Sequence, residues 1–167
     1  MSMSAERKRL VPSLVVELFQ TERSAYRHPI REALRLGDVP PSISLRAVAA
    51  HANESLDDLP KLARLRGIRL TTAGELAGEA VAAVRHALFD RFFDPERSYR
   101  ETLLEMRHGI DLVRLLRASA DDEEDHPLVR WCDRWLSTRQ RLVAGVENDL
   151  AWFAHSPLLG PVRYARA

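Results

Sequence analysis

Apolar residues recur at intervals of three and four along most of this chain, and this periodicity constrains the fold more than any other feature. Such spacing places apolar side chains on one face of an α-helix, whereas a half-buried strand shows strict alternation. The chain has no sustained alternation and contains only seven glycines. We therefore expect an all-α protein of long amphipathic helices around one core, with no sheet.

The length and composition are typical of a single domain. A chain of 167 residues that is 46% hydrophobic and 29% charged can bury one continuous core and still be soluble. We predict one domain over residues 1–167. In it, residues 13–155 form a helical bundle, and residues 1–12 and 156–167 are flexible or loosely packed.

The charge balance and the single cysteine indicate the cellular setting. Lys and Arg total 25 against 24 Asp and Glu, so the net charge of +1 creates no strong field for nucleic acid or an anionic membrane. No segment reaches the ~18 apolar residues of a membrane span, and the N-terminus lacks the apolar stretch of a signal peptide. Cys132 has no partner in the chain and falls in a helical pattern, where a thiol packs as an apolar group. We predict a cytoplasmic protein without nucleic-acid or membrane partners.

Glycine and proline signals divide the chain into four long helices. We predict the first from near Pro12 to just before Gly37, the second from about Ser42 to Arg66, the third from Pro95 to about Ala118 and the fourth from Pro127 to Ala154. Between the second and third, residues from about Ala73 to Phe93 are expected to form a shorter helix within a crossover. This order predicts an antiparallel four-helix bundle.

Each long helix has a predicted inner face. On the first it comprises Val15, Leu18, Glu22, Ala25, Pro29 and Ala33; on the second, Leu45, Ala49, Ala52, Leu56, Leu59 and Ala63; on the third, Leu103, Met106, Ile110 and Val113; and on the fourth, Cys132, Trp135, Leu142, Val146 and Phe153.

Glu22 is the unusual residue of these faces. It lies four residues after Leu18, in the middle of the first apolar stripe, where an unpaired carboxylate is costly. A metal ion, a cationic side chain, a hydrogen-bond network or a rotamer that reaches the bundle edge would each neutralise it. The residues of the first helix alone leave these four alternatives open.

Two histidines are candidate metal ligands. His51 flanks the apolar face of the second helix, where a lone histidine is most often a hydrogen-bonded structural residue, and Glu54 points away from that face. On the third helix, Glu105 and His108 have the Glu-x-x-His spacing by which one helical turn offers two ligands to one cation. This pair is the strongest local metal signal in the chain.

Arg139 stands at the middle of the fourth inner face, between Trp135 and Leu142. An arginine there either extends from the bundle edge or places a fixed positive charge opposite a buried carboxylate. We predict the second, a buried charge pair of Arg139 with Glu22 or Glu105. In that case neither a metal nor another cofactor is expected.

The helix lengths, the crossover and the mid-helix carboxylates together resemble the ferritin-like four-helix bundles, in particular small bacterial ferritin-like proteins. The resemblance covers about residues 13–155 and is architectural more than motif-based. In that family the di-metal site takes a glutamate from the first helix, Glu-x-x-His from the second, a glutamate from the third and Glu-x-x-His from the fourth.

The family pattern is only half present. Glu22, His51 and Glu105 match three of the six ligand positions, whereas Val48 replaces the glutamate of the second helix. In the fourth helix, Arg139 and Leu142 stand near the position of the ligand pair. The resemblance therefore implies a bundle that has lost its di-metal centre and acts as a binding or interaction module.

Two alternatives stay open. One is an iron- or manganese-binding ferritin-like protein with an altered site of Glu22, His51, Glu105 and His108. The other is a small-molecule-binding bundle with a cavity lined by Trp131, Trp135, Trp152 and Phe153. In each case the apolar residues beyond the main stripes, Phe92, Phe93, Leu158 and Leu159, predict a homodimer.

Overall fold

The computed structural model describes residues 10–70 and 94–156. Within these residues the chain forms five helices and no strand: α1 Leu10–Leu36, α2 Pro40–Leu65, α3 Pro95–Asp122, α4 His126–Asn148 and α5 Leu150–His155. The prediction of an all-α chain with four long helices is confirmed for this part of the protein. None of the described helices combines the length and the apolarity needed to cross a membrane.

Glycines end the first two helices at the predicted positions. Gly37 and Gly67 have φ angles of +79° and +66°, in the left-handed region that glycine adopts without a steric penalty. After Gly67, the N–H of Ile68 donates to the carbonyl of Ala63 at 2.9 Å and closes the last turn of α2. Because Gly37 ends α1 and α2 begins at Pro40, the turn between these two helices is short.

The helices α2 and α4 lie side by side and run antiparallel. Near the start of α2, the Ser44 hydroxyl donates to Asp149, which follows α4, at 2.5 Å. At the other end, Arg66 donates to both carboxylate oxygens of Asp125, at 2.6 and 2.7 Å. Asp125 also caps α4, because its carboxylate accepts the N–H of Leu128 at 3.1 Å.

The helices α1 and α3 form a second antiparallel contact. Ser98, near the start of α3, donates to Glu32, near the end of α1, at 2.9 Å. The main packing contacts also join α1 to α2 and α3 to α4, so that α1 and α4 lie diagonally across the bundle, as do α2 and α3. The end of α2 meets the start of α4, and α3 ends at that same point because a short turn joins it to α4. The start of α3 therefore lies at the opposite end of the bundle from the end of α2.

The predicted inner faces are correct for α1 and α3, where every predicted residue is buried. On α2, Leu56 is only half-buried and Val48 is fully buried instead. Of the predicted fourth face, Leu142 on α4 and Phe153 on α5 are half-buried, and Val143 is buried instead. A helix in such a bundle packs against two neighbours, so its buried arc is wider than a single stripe.

Two boundaries differ from the predictions. Residues 10–12, assigned to a loose terminus, belong to α1, because Val11 continues the apolar stripe into the core and proline is tolerated in a first turn. The predicted helix from Pro127 to Ala154 is interrupted at Asp149, which accepts the N–H of Trp152 at 3.0 Å in a tighter turn.

Several predictions fall outside the described residues. They are the loose termini over residues 1–9 and 157–167, the shorter helix from Ala73 to Phe93, and the apolar residues Phe92, Phe93, Leu158 and Leu159 behind the homodimer prediction.

Candidate functional site

An ion pair joins α1 and α4 across the centre of the bundle. The side chains of Glu22 and Arg139 are 0% and 1% exposed, and Nη2 of Arg139 donates to Oε2 of Glu22 at 2.6 Å. Both residues lie within apolar stripes of their helices, which is why the fold carries them inward. Because an isolated buried ion of either sign is unfavourable, each side chain makes the burial of the other possible.

Two further groups hold the guanidinium of Arg139. Its Nε donates to Nδ1 of His51 on α2 at 3.1 Å, and its Cζ lies 4.7 Å from the centroid of the Trp135 ring. An arginine over an indole face makes a favourable cation–π contact. Residues of α1, α2 and α4 therefore fix one guanidinium, and the pair connects two helices that do not pack directly against each other.

A hydrogen-bond chain fixes Trp135 in turn. Its indole Nε1 donates to Oγ of Ser55 at 3.0 Å, and the Ser55 hydroxyl donates to the carbonyl of His51 at 2.9 Å. Ser55 was not among the predicted site residues. The available signal was its spacing, three residues after Ala52 and four before Leu59, both on the inner face of α2.

Burial and charge shift the pKa values of the pair in opposite ways. Burial raises the pKa of Glu22, and the positive charge of Arg139 opposes this, with smaller contributions from nearby Ser55 and Trp135. Burial lowers the pKa of Arg139, and Glu22 opposes that change. The polar hydrogens of Ser55 and Trp135 are directed elsewhere, so Oε1 of Glu22 has no hydrogen-bond partner among the described residues.

His51 is held as the neutral imidazole. Arginine is a donor only, so Nδ1 of His51 accepts from Arg139 and the proton of the neutral ring lies on Nε2. Burial, followed by the charge of Arg139, lowers the pKa of His51 from 6.5 to about 4. The predicted structural histidine is therefore a hydrogen-bond acceptor for Arg139, and Glu54 is exposed as expected.

Glu105 and His108 lie on the outer side of α3. Glu105 is 46% exposed, with Oε2 2.8 Å from Nδ1 of His28, and His108 is 65% exposed, with Nε2 3.8 Å from Oε1 of Glu17. Met106 is the residue of this turn that faces the core. The prediction that Glu105 belongs to the buried charge pair is wrong, because one residue along a helix rotates the side chain by about 100°.

The four candidate metal ligands thus divide into two groups. Glu22 and His51 contact Arg139 inside the bundle, whereas Glu105 and His108 line its outer surface. Among the described residues, no three His, Cys, Asp or Glu side chains come together in a way that could hold a metal ion. The residues at the bundle centre do not fit a di-metal centre, because a guanidinium lies against the central carboxylate.

The four aromatic residues proposed to line one cavity also separate. Trp131 and Trp135 line a cavity of about 190 Å³ together with His51. Trp152 and Phe153 lie on α5, where the Phe153 ring is 5.2 Å from the ring of Trp152 and 5.0 Å from that of Tyr99. The prediction of a single aromatic cavity is therefore wrong.

No family model, curated protein or solved structure matches this chain.

Proposed function

We propose that this protein is a ferritin-like four-helix bundle that has lost its di-metal centre and acts as a binding module. The observation that carries the proposal is the 2.6 Å contact between Arg139 and Glu22, both buried at the bundle centre. In ferritin-like proteins, metal ions neutralise the inward carboxylates of this region. Here a guanidinium supplies that positive charge.

The helix order supports the ferritin-like part of the proposal. Each long helix packs against two antiparallel neighbours, and α2 ends and α3 begins at opposite ends of the bundle. Two antiparallel helix pairs joined by one long crossover make up the ferritin-like arrangement. The 23 residues between positions 70 and 94 are the candidate for that crossover.

The donor set supports the loss of the centre. On α2 and α4 the glutamate positions of the family pattern hold Val48 and Arg139, and on α3 the matching Glu105 lies outside the core, where Met106 is buried instead. Valine offers no ligand atom, a thioether is a poor ligand for iron or manganese in these oxygen-rich sites, and a guanidinium repels cations. The two family ligands that remain, Glu22 and His51, are both hydrogen-bonded to Arg139.

Metal analysis tests this proposal. Protein produced with added iron and manganese and purified without chelator should contain far less than one transition-metal ion per chain. One or two ions per chain would contradict the proposal and favour an altered metal site.

Rebuilding the ligands gives a complementary test. A variant with Val48→Glu, Arg139→Glu and Leu142→His should gain affinity for Co²⁺, seen as a melting temperature that rises with metal concentration. The matched control, Arg139→Met, adds no ligand and should show no such rise. A folded triple variant that is indifferent to Co²⁺ would contradict the ferritin-like assignment.

A further inference from the structure

A groove of about 410 Å³ lies between α1 and α3, on the side of the bundle where Glu105 is exposed. Its walls include Thr21, Ala25 and Pro29 from α1, and Thr102, Glu105 and Met106 from α3. Most of this lining is apolar, and the volume falls within the roughly 300–1,000 Å³ of small-molecule sites. The groove is separate from the buried ion pair, whose side chains do not line it.

Two of the three hydroxyl groups that line the groove have already donated their protons, and the third, that of Ser24, lies 3.3 Å from Nδ1 of His28. Thr21 donates to the carbonyl of Glu17 at 3.0 Å, and Thr102 donates to the carbonyl of Ser98 at 3.0 Å. A hydroxyl has one proton and two lone pairs, so each of these oxygens offers only acceptor capacity to a ligand.

Pro29 adds a backbone acceptor at the same wall. The helix α1 continues through Pro29, which has no N–H to donate to the carbonyl of Ala25, four residues earlier. Both residues line the groove. The Ala25 carbonyl therefore lacks the hydrogen bond from the fourth residue after it, and it belongs to a residue that lines the groove.

Glu105 adds a negatively charged acceptor beside these neutral ones. Its Oε2 lies 2.8 Å from Nδ1 of His28, and that contact does not use its second oxygen, Oε1. A carboxylate beside neutral acceptors and an apolar floor complements a molecule that combines a cationic donor with an apolar body. An ammonium group, which has three donors and no acceptor, fits this set of partners, whereas a carboxylate does not.

We propose that the groove between α1 and α3 binds a small organic cation, an apolar molecule with a protonated amine that donates to Glu105 and to the Ala25 carbonyl. The inference rests on the proposed function, since it names the ligand class of the binding module. The two fail separately. Metal at the bundle centre would overturn the proposed function, whereas a groove that ignores amines would overturn only this inference.

Calorimetric titration of the full chain tests the ligand class. Benzylamine, benzyl alcohol and benzoate share one ring and differ in charge. Benzylamine should bind at least about tenfold more tightly than the alcohol, as expected for a hydrogen bond to a charged group, and benzoate should not bind. Hexylamine and cyclohexylmethylamine, each compared with its own alcohol, extend the test to other shapes. If none of the three amines binds more tightly than its alcohol, the proposal is wrong.

Two variants and one control locate the site. Glu105→Gln keeps the shape of the side chain and should weaken benzylamine binding about tenfold while leaving benzyl alcohol unchanged. Pro29→Ala restores an N–H to the Ala25 carbonyl and should weaken the amine several-fold. Glu101→Gln removes an exposed carboxylate of the same helix, one whose partner is Arg97 at 3.5 Å, and should bind benzylamine like the wild type.

Nuclear magnetic resonance provides the last check. The methyl signal of Met106, at the groove, should shift as benzylamine is added to the wild-type protein. Unchanged amine affinity in Glu105→Gln, or shifts confined to residues away from the groove, would overturn the assignment.

Discussion

Two acid–base pairs link α1 to another helix at similar distances, yet they lie in opposite environments. Arg139 and Glu22 meet at 2.6 Å with both side chains fully buried, whereas His28 and Glu105 meet at 2.8 Å with both side chains partly in water. Water and salt screen the outer pair, and they stabilise the remaining charge when either partner is removed. The inner pair is fully buried, so removing either partner leaves the other charge uncompensated. The comparison shows that a short distance alone does not give the energetic importance of a pair.

The largest effect is expected from breaking the inner pair. Arg139→Ala leaves the Glu22 carboxylate buried without its cation and should lower the free energy of unfolding by roughly 3–5 kcal/mol. Urea denaturation followed by circular dichroism measures this. As a control, Arg114→Ala breaks an exposed pair with Asp111 at 2.9 Å and should change stability by less than about 0.5 kcal/mol. Similar losses in both variants would remove the distinction between the environments.

The next effect is a pH dependence that comes from the inner site. The pKa of His51 is about 4 in the folded protein against 6.5 for the free side chain, so the unfolded chain binds more protons between these values. Stability from this residue is fully present above pH 6.5 and is lost as the pH falls towards 4. Allowing for partial solvent screening, we expect a loss on the order of 2 kcal/mol.

A matched variant isolates that dependence from the titration of carboxylates in the same range. His51→Asn keeps an acceptor for Arg139 but has no titrating group. Unfolding free energies measured from pH 7 to pH 4 should fall less steeply in His51→Asn than in the wild type. Identical slopes would show that His51 does not resist protonation in the folded protein.

An intermediate effect is expected at a half-buried pair. Arg66 donates two hydrogen bonds to Asp125, and the pKa of Asp125 is lowered chiefly for this reason. The same carboxylate caps α4. Asp125→Asn keeps a capping oxygen but loses the charge, and should cost about 1 kcal/mol in urea denaturation. A loss as large as that of Arg139→Ala would mean that burial does not rank these pairs.

The smallest effect is expected at the outer pair. Glu105→Gln removes the charge facing His28 at a partly exposed position and should alter the unfolding free energy by less than about 0.5 kcal/mol. Thermal denaturation in low and high salt should show little difference between the variant and the wild type. A large destabilisation would instead give the outer pair a structural role.

The contrast between these pairs also explains what the sequence could predict. Glu22 and Arg139 were identified because each interrupts a clear apolar stripe, and a buried charge needs a partner. Whether Glu105 also faces Arg139 depends on which side of α3 is turned towards the core. Buried residues of α3 cover a wide arc that includes Thr102, Met106 and Gly109, so its pattern does not define a single inward line.

Other features of the site depend on contacts between residues distant in the chain. Ser55 matters because Trp135, 80 residues later, donates to it, and no local pattern signals that bond. The interruption at Asp149 accompanies its hydrogen bond to Ser44, on another helix. The sequence predicts Pro29 within α1, but its place in the groove depends on the packing of α3 beside it.

A double-mutant cycle on Arg139 and Glu22 tests the central claim most directly, namely that a guanidinium and not a metal neutralises the buried carboxylate. The free energies of unfolding of the wild type, Arg139→Ala, Glu22→Gln and the double variant would be measured with and without a metal chelator. We predict that Glu22→Gln recovers part of the loss caused by Arg139→Ala, with a coupling of roughly 1–3 kcal/mol, and that chelator changes none of the four values. Additive losses, or a wild type that weakens when chelator is added, would contradict the account.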